Sequence, residues 1–326
     1  MLKDKYNRAH NYLRISLTDN CNLRCFYCMP NEDYAFMPRE QMMQKEEIIA
    51  FAKIFIALGV TKIRLTGGEP LVRKDAAEII LALGKLKVEL TITTNATRVH
   101  HFIPDFQAAG IESVNISLDT LQAHKFQLIT RRDQFDTVKN NIQILLHHAF
   151  KVKINMVVVK GLNEDELLDF IEWTKNIPIH IRFIEFMPFD GNKWNSDKLV
   201  TWQQMLQTIG AAYEITEAEN SPNDTSKNYQ IKGHKGSFAV ISTMSAPFCS
   251  TCNRIRLTAD GKIKNCLFSA GETDLLTAWR KGEDINALIR DTIYAKHKEL
   301  GGQFSKDFES INTHELNNRS MIAIGG

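Results

Sequence analysis

The stretch Tyr12–Cys28, YLRISLTDNCNLRCFYC, reads as a β-strand that runs directly into a loop carrying three thiols spaced C-x3-C-x2-C. Leu13, Ile15 and Leu17 alternate with Tyr12, Arg14 and Ser16, the period-2 pattern of a strand with one apolar face. Outward from this strand the pattern repeats. Further β-rich runs stand at Lys62–Thr66, Glu89–Thr93, Ser113–Leu118, Lys153–Val159 and His180–Phe186. Helix-period segments separate them at Lys45–Leu58, Asp75–Leu86, Val99–Ala109, Phe135–His148 and Glu164–Thr174. Gly59, Gly84 and Gly110 fall where helices should end, and Asn163 before Glu164 reads as an N-cap. Strand–helix alternation predicts a parallel sheet joined by right-handed crossovers. Six units in succession suit an incomplete (β/α)6 barrel of the TIM type better than a doubly wound sheet. After residue 195 the pattern breaks into mixed helix, short β-runs and turns. The expected division is therefore 1–195 for the α/β barrel and 196–326 for an α+β extension.

The chain has six cysteines in two groups of three: Cys21, Cys25 and Cys28, then Cys249, Cys252 and Cys266. The opening MLKDKYNRAHNYLRIS lacks the apolar core of a signal peptide, and the most apolar stretch, Ile48–Val60, is too short to span a bilayer. A soluble, cytoplasmic protein without membrane contact is expected, and thiols stay reduced in that compartment. Inert buried cysteines would scatter, so the grouping favours metal ligation over disulfides. A structural zinc site closes with four ligands. Neither group has four cysteines, although His234 or His297 would complete a zinc site in the second. Iron–sulfur clusters are held by thiolates and normally take four; three leave one iron open for chemistry. Two triplets therefore suggest two clusters, each with a vacancy.

Lys and Arg total 40 against 38 Asp and Glu, a formal charge of +2, which excludes broad electrostatic binding to nucleic acid or an anionic membrane. With 44% hydrophobic and 24% charged residues, the composition also excludes a disordered or fibrous chain. Any basic site must be local. In parallel α/β folds functional groups gather at the C-terminal ends of the strands. Cys21 follows the first strand, Gly67-Gly68-Glu69-Pro70 the second and Thr93-Thr94-Asn95 the third. Ser117 and Asp119 end the fourth, Lys160 the fifth and Met187 the sixth. Together with a metal triplet they form one candidate rim.

The cysteine loop from Cys21 to Cys28 and Thr66-Gly67-Gly68-Glu69-Pro70 at the next strand end resemble the radical S-adenosylmethionine (SAM) enzymes. Adding Cys249, Cys252-Asn-Arg254-Ile255-Arg256, Cys266 and the final Gly325-Gly326 narrows the resemblance to the GTP 3′,8-cyclase family of molybdenum cofactor biosynthesis. It implies two [4Fe–4S] clusters, on Cys21, Cys25 and Cys28 and on Cys249, Cys252 and Cys266. It implies SAM at Tyr27, Gly68, Glu69, Ser117 and Met187. GTP would contact Arg14, Arg64, Thr93, Lys160, Arg182 and Arg254–Ile255–Arg256, with Lys62 a further candidate. Arg14, Arg254, Arg256, Gly325 and Gly326 are implied to serve catalysis, the double glycine by entering the active site. The implied reaction abstracts hydrogen from ribose C3′ of GTP with a deoxyadenosyl radical and joins C3′ to guanine C8. An electron-donor protein, transfer of product to the cyclic pyranopterin monophosphate synthase and a homodimer accompany that reading. Asn20 and Ala96 depart from the family pattern, where Arg and Gly are frequent. Two other readings stay open: a radical SAM enzyme that modifies a peptide, and a zinc-stabilised binding protein.

Overall fold

The computed structural model describes residues 1–29, 33–221, 223–304, 307–311 and 316–325. Six strands follow the expected order: β1 Tyr12–Ser16, β2 Lys62–Thr66, β3 Glu89–Thr94, β4 Ser113–Ser117, β5 Lys151–Val158 and β6 His180–Glu185. The intervening helices are α1 Lys45–Ala57, α2 Ala76–Gly84, α3 Ile103–Ala108, α4 Ala123–Thr130, α5 Phe135–His147 and α6 Leu167–Trp173. Beyond them lie α7 Trp202–Ala212, then β7 Ile215–Glu217, β8 Lys227–Ile231, β9 Ser237–Ile241, β10 Arg254–Leu257, β11 Lys262–Lys264 and β12 Thr273–Asp274. The remaining helices are α8 Leu275–Arg280, α9 Asn286–Tyr294 and the short α10 Met321–Ile324. Among the described residues the strands make one sheet, β12-β11-β10-β1-β2-β3-β4-β5-β6-β9-β8-β7. Strands β1 to β6 pair parallel in sequence order. The sheet continues on both sides through the later residues, with β10 parallel to β1 and β9 parallel to β6.

Each central strand has one apolar face. Leu13, Ile15, Ile63, Leu65, Ile92, Ile154 and Phe183 are fully buried, as are Phe51, Phe55, Ile79, Leu83, Phe106 and Phe170 on the helices. Truncating one of these phenylalanines to Ala would cost about 3–5 kcal/mol, by lost transfer energy and the cavity left. The other face of the same strands carries Tyr12, Arg14, Arg64, Asn115, Lys153 and Arg182, and together they line one cavity. A sheet whose distant strands share a cavity must curl around it.

Local chemistry accounts for the departures from expectation. Residues 99–109 form a 3-10 turn, Val99–His101, and then α3, because Pro104 supplies no amide donor and is tolerated only in a first helical turn. Gly84 does not cap α2 but is its last residue; a Cβ there would lie 2.6 Å from Ala109 Cα, so the glycine serves helix packing. Asn163 is not a side-chain N-cap. Its amide oxygen accepts from Val159 N (2.8 Å), and its nitrogen donates to the carbonyls of Asp119 (2.7 Å) and Val157 (2.9 Å). Helix α4 was not expected, since only a few of its side chains are buried. Among the described residues no helix is long and apolar enough to cross a membrane.

Candidate active site

The first cysteine loop is laid down by backbone hydrogen bonds. Gly68 N donates to Thr18 O and Glu69 N to Asn20 O, each at 2.8 Å. A Cβ on Gly68 would stand 2.5 Å from Asn20 O and 2.6 Å from Asp19 O, so the loop's own backbone already requires a glycine there. On the other side the end of α4 holds the loop: Arg24 N donates to Thr130 O (2.9 Å) and Phe26 N to Ile129 O (3.2 Å). Cys21, Cys25 and Cys28 line a pocket of about 120 Å³ with Gly67, Gly68, Thr93, Asn95, Ser117 and Asp119.

This pocket resists negative charge. Burial, with Glu69 nearby, pushes the Cys21 thiol up to about 11. Burial and the neighbouring sulfurs and Asp119 raise Cys25 and Cys28 further. The Asp119 carboxyl is itself raised by burial to about 6, although Tyr27 Oη (2.5 Å) and Val157 N (2.9 Å) donate to it. Thiolates in such a place need a cation to compensate them, and a metal that binds a thiol deprotonates it. None of the six cysteines is in a disulfide. Among the described residues no three Cys, His, Asp or Glu side chains could grip a single metal ion. A lone zinc needs sulfurs at about 2.3 Å, whereas an iron–sulfur cube takes its thiolates on separate irons and so further apart. Three thiols on one pocket wall, as at the first triplet, are a donor set of that kind. Of the two histidines considered for zinc, His234 instead bonds the Thr174 hydroxyl (2.8 Å) and meets the edge of Tyr213; His297 packs against the Gly302 backbone, with the position of a Gly302 Cβ only 2.6 Å from its Nδ1.

Strands β10, β1 and β2 set their cations in rows. Arg256, Arg14 and Arg64 are register partners, and Arg254, Tyr12 and Lys62 form the next row. The cavity they face measures about 850 Å³. Its lining holds Arg14, Lys62, Arg64, Lys151, Lys153, Arg182, Arg254 and Arg256 against only Asp119 and Asp224 among the described carboxylates. Crowding shows in the proton affinities. Burial, then Arg182, Arg64 and Lys62, lowers Lys153 to about 8. Burial and then Arg64 lower Arg182 to about 9, and burial and then Arg254 lower Arg256 to about 10. Burial first and Arg256 next hold Arg14 well below the usual guanidinium range. For Tyr12 burial raises the phenol, but Arg64, Arg14 and Lys62 outweigh that and bring it to about 8. Arg182 Nε and Nη2 and the Oδ1 atoms of Asn115 and Asn155 are buried without a hydrogen-bond partner among the described residues. Buried polar atoms left this way mark a surface built for a polar ligand.

The second triplet sits at the opposite end of the strands. Cys21 leaves β1 at its C-terminal end, while Cys252 lies just before β10, whose Arg254 pairs with Tyr12 at the start of β1. Cys266 follows β11, which returns antiparallel beside β10. All three sulfur residues border the large cavity, and so does Cys28 of the first triplet. Here burial still raises the Cys249 thiol, but at Cys252 the charge is reversed. Burial would raise the Cys252 thiol, but Arg254 and Lys296 outweigh it and draw it down to about 6. Arg254 Nη2 and Lys296 Nζ donate to Cys252 Sγ at 3.7 and 3.4 Å. Glu185, fully buried, ties the segment before Cys249 to β6 by accepting from Met244 N (2.7 Å) and Ser245 N (3.0 Å).

Residues 316–325 come back over the cavity. Arg319 forks onto Glu272 and bonds Asp260 (3.1 Å), and Lys264, almost fully buried, donates to Asn318 Oδ1 (3.1 Å). Met321 lines both pockets. The Arg256 guanidinium donates to the Gly325 carbonyl. Gly325 has φ +73, and a Cβ would come within 2.8 Å of Thr66 Oγ1, so a side chain is excluded twice over.

The expected residues distribute unevenly. Tyr27, Gly68, Thr93 and Ser117 border the smaller pocket. Arg14, Arg64, Thr93, Arg182, Met187, Arg254 and Arg256 line the larger, while Ile255 is fully buried on the opposite face. Glu69 lines neither: its carboxylate accepts from Asn95 N (2.6 Å), Thr94 Oγ1 (2.8 Å) and Leu71 N (3.0 Å), locking the ends of β2 and β3 together. Burial raises it to about 7 despite those bonds. Lys160 is exposed and absent from both linings. It stands in the turn after β5, which ends at Val158, and its amide donates to Lys198 O (3.0 Å). Gly326 lies outside the described residues. Lys151, Lys153, Asn155 and His180 line the cavity without having been singled out; a polar residue at every second position of an apolar strand was the available signal.

A family model described as the Radical SAM superfamily matches residues 15–174, and one described as Molybdenum Cofactor Synthesis C matches residues 179–301. A Listeria welshimeri protein named GTP 3′,8-cyclase is 45% identical, covering 100% of this chain and 99% of its own length. The mitochondrial GTP 3′,8-cyclase of Arabidopsis thaliana is 45% identical over 100% of this chain and 84% of its own. Human molybdenum cofactor biosynthesis protein 1 is 43% identical, and the chain spans about half of it, 51%. Among solved structures, Streptococcus suis SuiB superposes with a TM-score of 0.60 at 16% identity, over 92% of this chain and 69% of that one. Its SAM-bound form gives 0.57 at 17% identity, over 83% and 66%. At such identities the likeness concerns the fold.

Proposed function

The chain belongs to the GTP 3′,8-cyclase family of radical SAM proteins, and from that membership and its cationic cavity we propose that it converts GTP to (8S)-3′,8-cyclo-7,8-dihydroguanosine 5′-triphosphate, the first step of molybdenum cofactor biosynthesis. The observation that carries this reading is the cavity itself: among the described residues eight cationic side chains and two carboxylates line it, with Cys28 of the first triplet and all of the second on its wall. A triphosphate brings roughly four negative charges; Lys62 and Lys151 already pair with Glu89 and Glu112, which leaves Arg14, Arg64, Lys153, Arg182, Arg254 and Arg256 to meet it.

Residues 1–195 would form the radical SAM partial barrel and residues 196–326 the part that carries a second cluster and the double glycine. Cys21, Cys25 and Cys28 would hold one [4Fe–4S] cluster, and Cys249, Cys252 and Cys266 the other. When bound, the clusters and SAM supply the one-electron chemistry, hydrogen abstraction at ribose C3′ and closure onto guanine C8. The protein's part is placement. Gly68 and Ser117 shape the pocket for SAM beside the first triplet, Tyr27 fixes Asp119 in its wall, and Met187 extends the SAM surface from the larger cavity. Arg14, Arg64, Lys153 and Arg182 neutralise the phosphates, with Lys62 and Thr93 beside them; Lys160 would reach them only from outside. Arg254 and Arg256 orient the nucleotide against the second triplet, and Arg256 also anchors Gly325. Holding C3′ and C8 together makes the ring closure effectively unimolecular. A cytoplasmic location, an electron-donor protein, delivery of product to the cyclic pyranopterin monophosphate synthase and a homodimer complete the reading.

The test is anaerobic incubation of reconstituted protein with SAM, dithionite and GTP. Equal amounts of 5′-deoxyadenosine and cyclised nucleotide are expected. 5′-Deoxyadenosine that forms without any change in GTP would overturn the substrate assignment.

A further inference from the structure

Lys296 is 2% exposed, yet its ammonium has no carboxylate among its described partners. It stands 3.4 Å from Cys252 Sγ and 3.1 Å from Arg254 O. A lysine this deep is rare unless its charge is matched, and the sulfur is the group available to match it. The segment it begins supplies a second donor, Leu300 N, 3.4 Å from Cys249 Sγ. That segment is bolted in place from the other end of the chain. Arg8 donates to the carbonyls of Cys249, His297 and Lys298, each at 2.7 Å. Arg8 is itself held by buried Asp4 (2.6 Å), which also bonds His10 Nε2 (3.0 Å). Around the first triplet the corresponding sulfur donor is the neutral Asn95 amide, 3.8 Å from Cys21 Sγ.

We propose that Lys296 is a positioning residue for the second cluster, holding Cys252 toward it and stabilising its reduced form by a buried positive charge. This rests on the two-cluster reading above. Hydrogen bonds and charge at the sulfurs are among the factors that set an iron–sulfur potential, and a reduced cluster carries one more negative charge than an oxidised one. Removing the ammonium therefore makes the second cluster harder to reduce.

The experiment is an EPR-monitored redox titration, without GTP, of anaerobically reconstituted wild type, Lys296→Gln and Lys296→Arg, each with iron quantified. Lys296→Gln should lower the reduction equilibrium of the second cluster about tenfold, about 59 mV for one electron, and leave the first cluster's potential unchanged. Lys296→Arg should restore the wild-type value. Loss of second-cluster iron in the Gln variant alone would equally support the assignment. An unchanged potential with about eight irons in every protein, or the same change in both variants, overturns the role of Lys296 while sparing the two-cluster reading. A wild type that never exceeds about four irons removes both.

Discussion

The two cysteine triplets lie at opposite ends of one cavity and differ in the charges that stand beside their sulfurs. At the first, Glu69 and Asp119 stand near three thiols raised by burial, Cys21 to about 11. At the second, Arg254 and Lys296 overcome burial and bring Cys252 down to about 6. Their supports differ as well. The first loop is threaded between β2 and the end of α4 by backbone hydrogen bonds, with no room for a side chain at Gly68. The second is gathered by long side chains, Arg8, Glu185 and Lys296, reaching from distant parts of the sequence. A neutral-to-acidic pocket suits a group that brings its own positive charge, as the sulfonium of SAM does. A cationic one suits a polyanion.

The largest effects should come from removing a ligand at either end. Cys28→Ala should abolish 5′-deoxyadenosine formation, whereas Cys252→Ala should keep a SAM-responsive cluster and lose the cyclised nucleotide. Each should lose about half of the iron. Identical phenotypes would break the distinction between the ends. Next, Gly68→Ala should destabilise the protein by about 1–3 kcal/mol, as overpacking does, and a thermal melt should show it. Gly271→Ala, where a Cβ meets nothing within 4 Å, is the matched control in the later half and should change stability by less than about 0.5 kcal/mol.

Within the cavity, Lys153→Ala should weaken GTP binding by about 1.5–3 kcal/mol, measurable by titration calorimetry. The wild type should also bind GTP less well as pH rises. Lys153 titrates near 8, so it is cationic below that pH and loses its charge above it. Lys153→Arg keeps the charge and should lessen the fall between pH 7 and 9, leaving the part that Tyr12, near 8, and Arg182, near 9, contribute. A wild-type affinity independent of pH would remove Lys153 from the phosphate site. At the small end, Lys160→Ala should change GTP affinity by no more than about 0.5 kcal/mol, since its side chain is exposed. Ala96→Gly should stabilise slightly, because Ala96 sits at φ +61, a conformation that suits glycine.

The sequence showed one end of this molecule more clearly than the other. Period-2 runs located β1 to β6 within a residue or two, since their outer faces are continuous apolar surface under helices. Cysteine spacing singled out the first triplet, and the strand-end rule added Gly68, Thr93 and Ser117, which line the pocket beside it. That rule has no counterpart for Cys252, which lies before a strand, and only the parallel pairing of β10 with β1 reveals where it sits. Strand parity, applied to β5, would have added Lys153. The roles of Glu69, Lys296 and α4 depend on contacts across the fold, which local pattern does not encode.

The most direct measurement is EPR of the reduced, anaerobically reconstituted protein, recorded alone, with SAM and with GTP. Two cluster signals are predicted, SAM altering only that lost in Cys28→Ala and GTP only that lost in Cys252→Ala. If both small molecules perturb the same signal, or GTP perturbs neither, the assignment of the two ends is wrong.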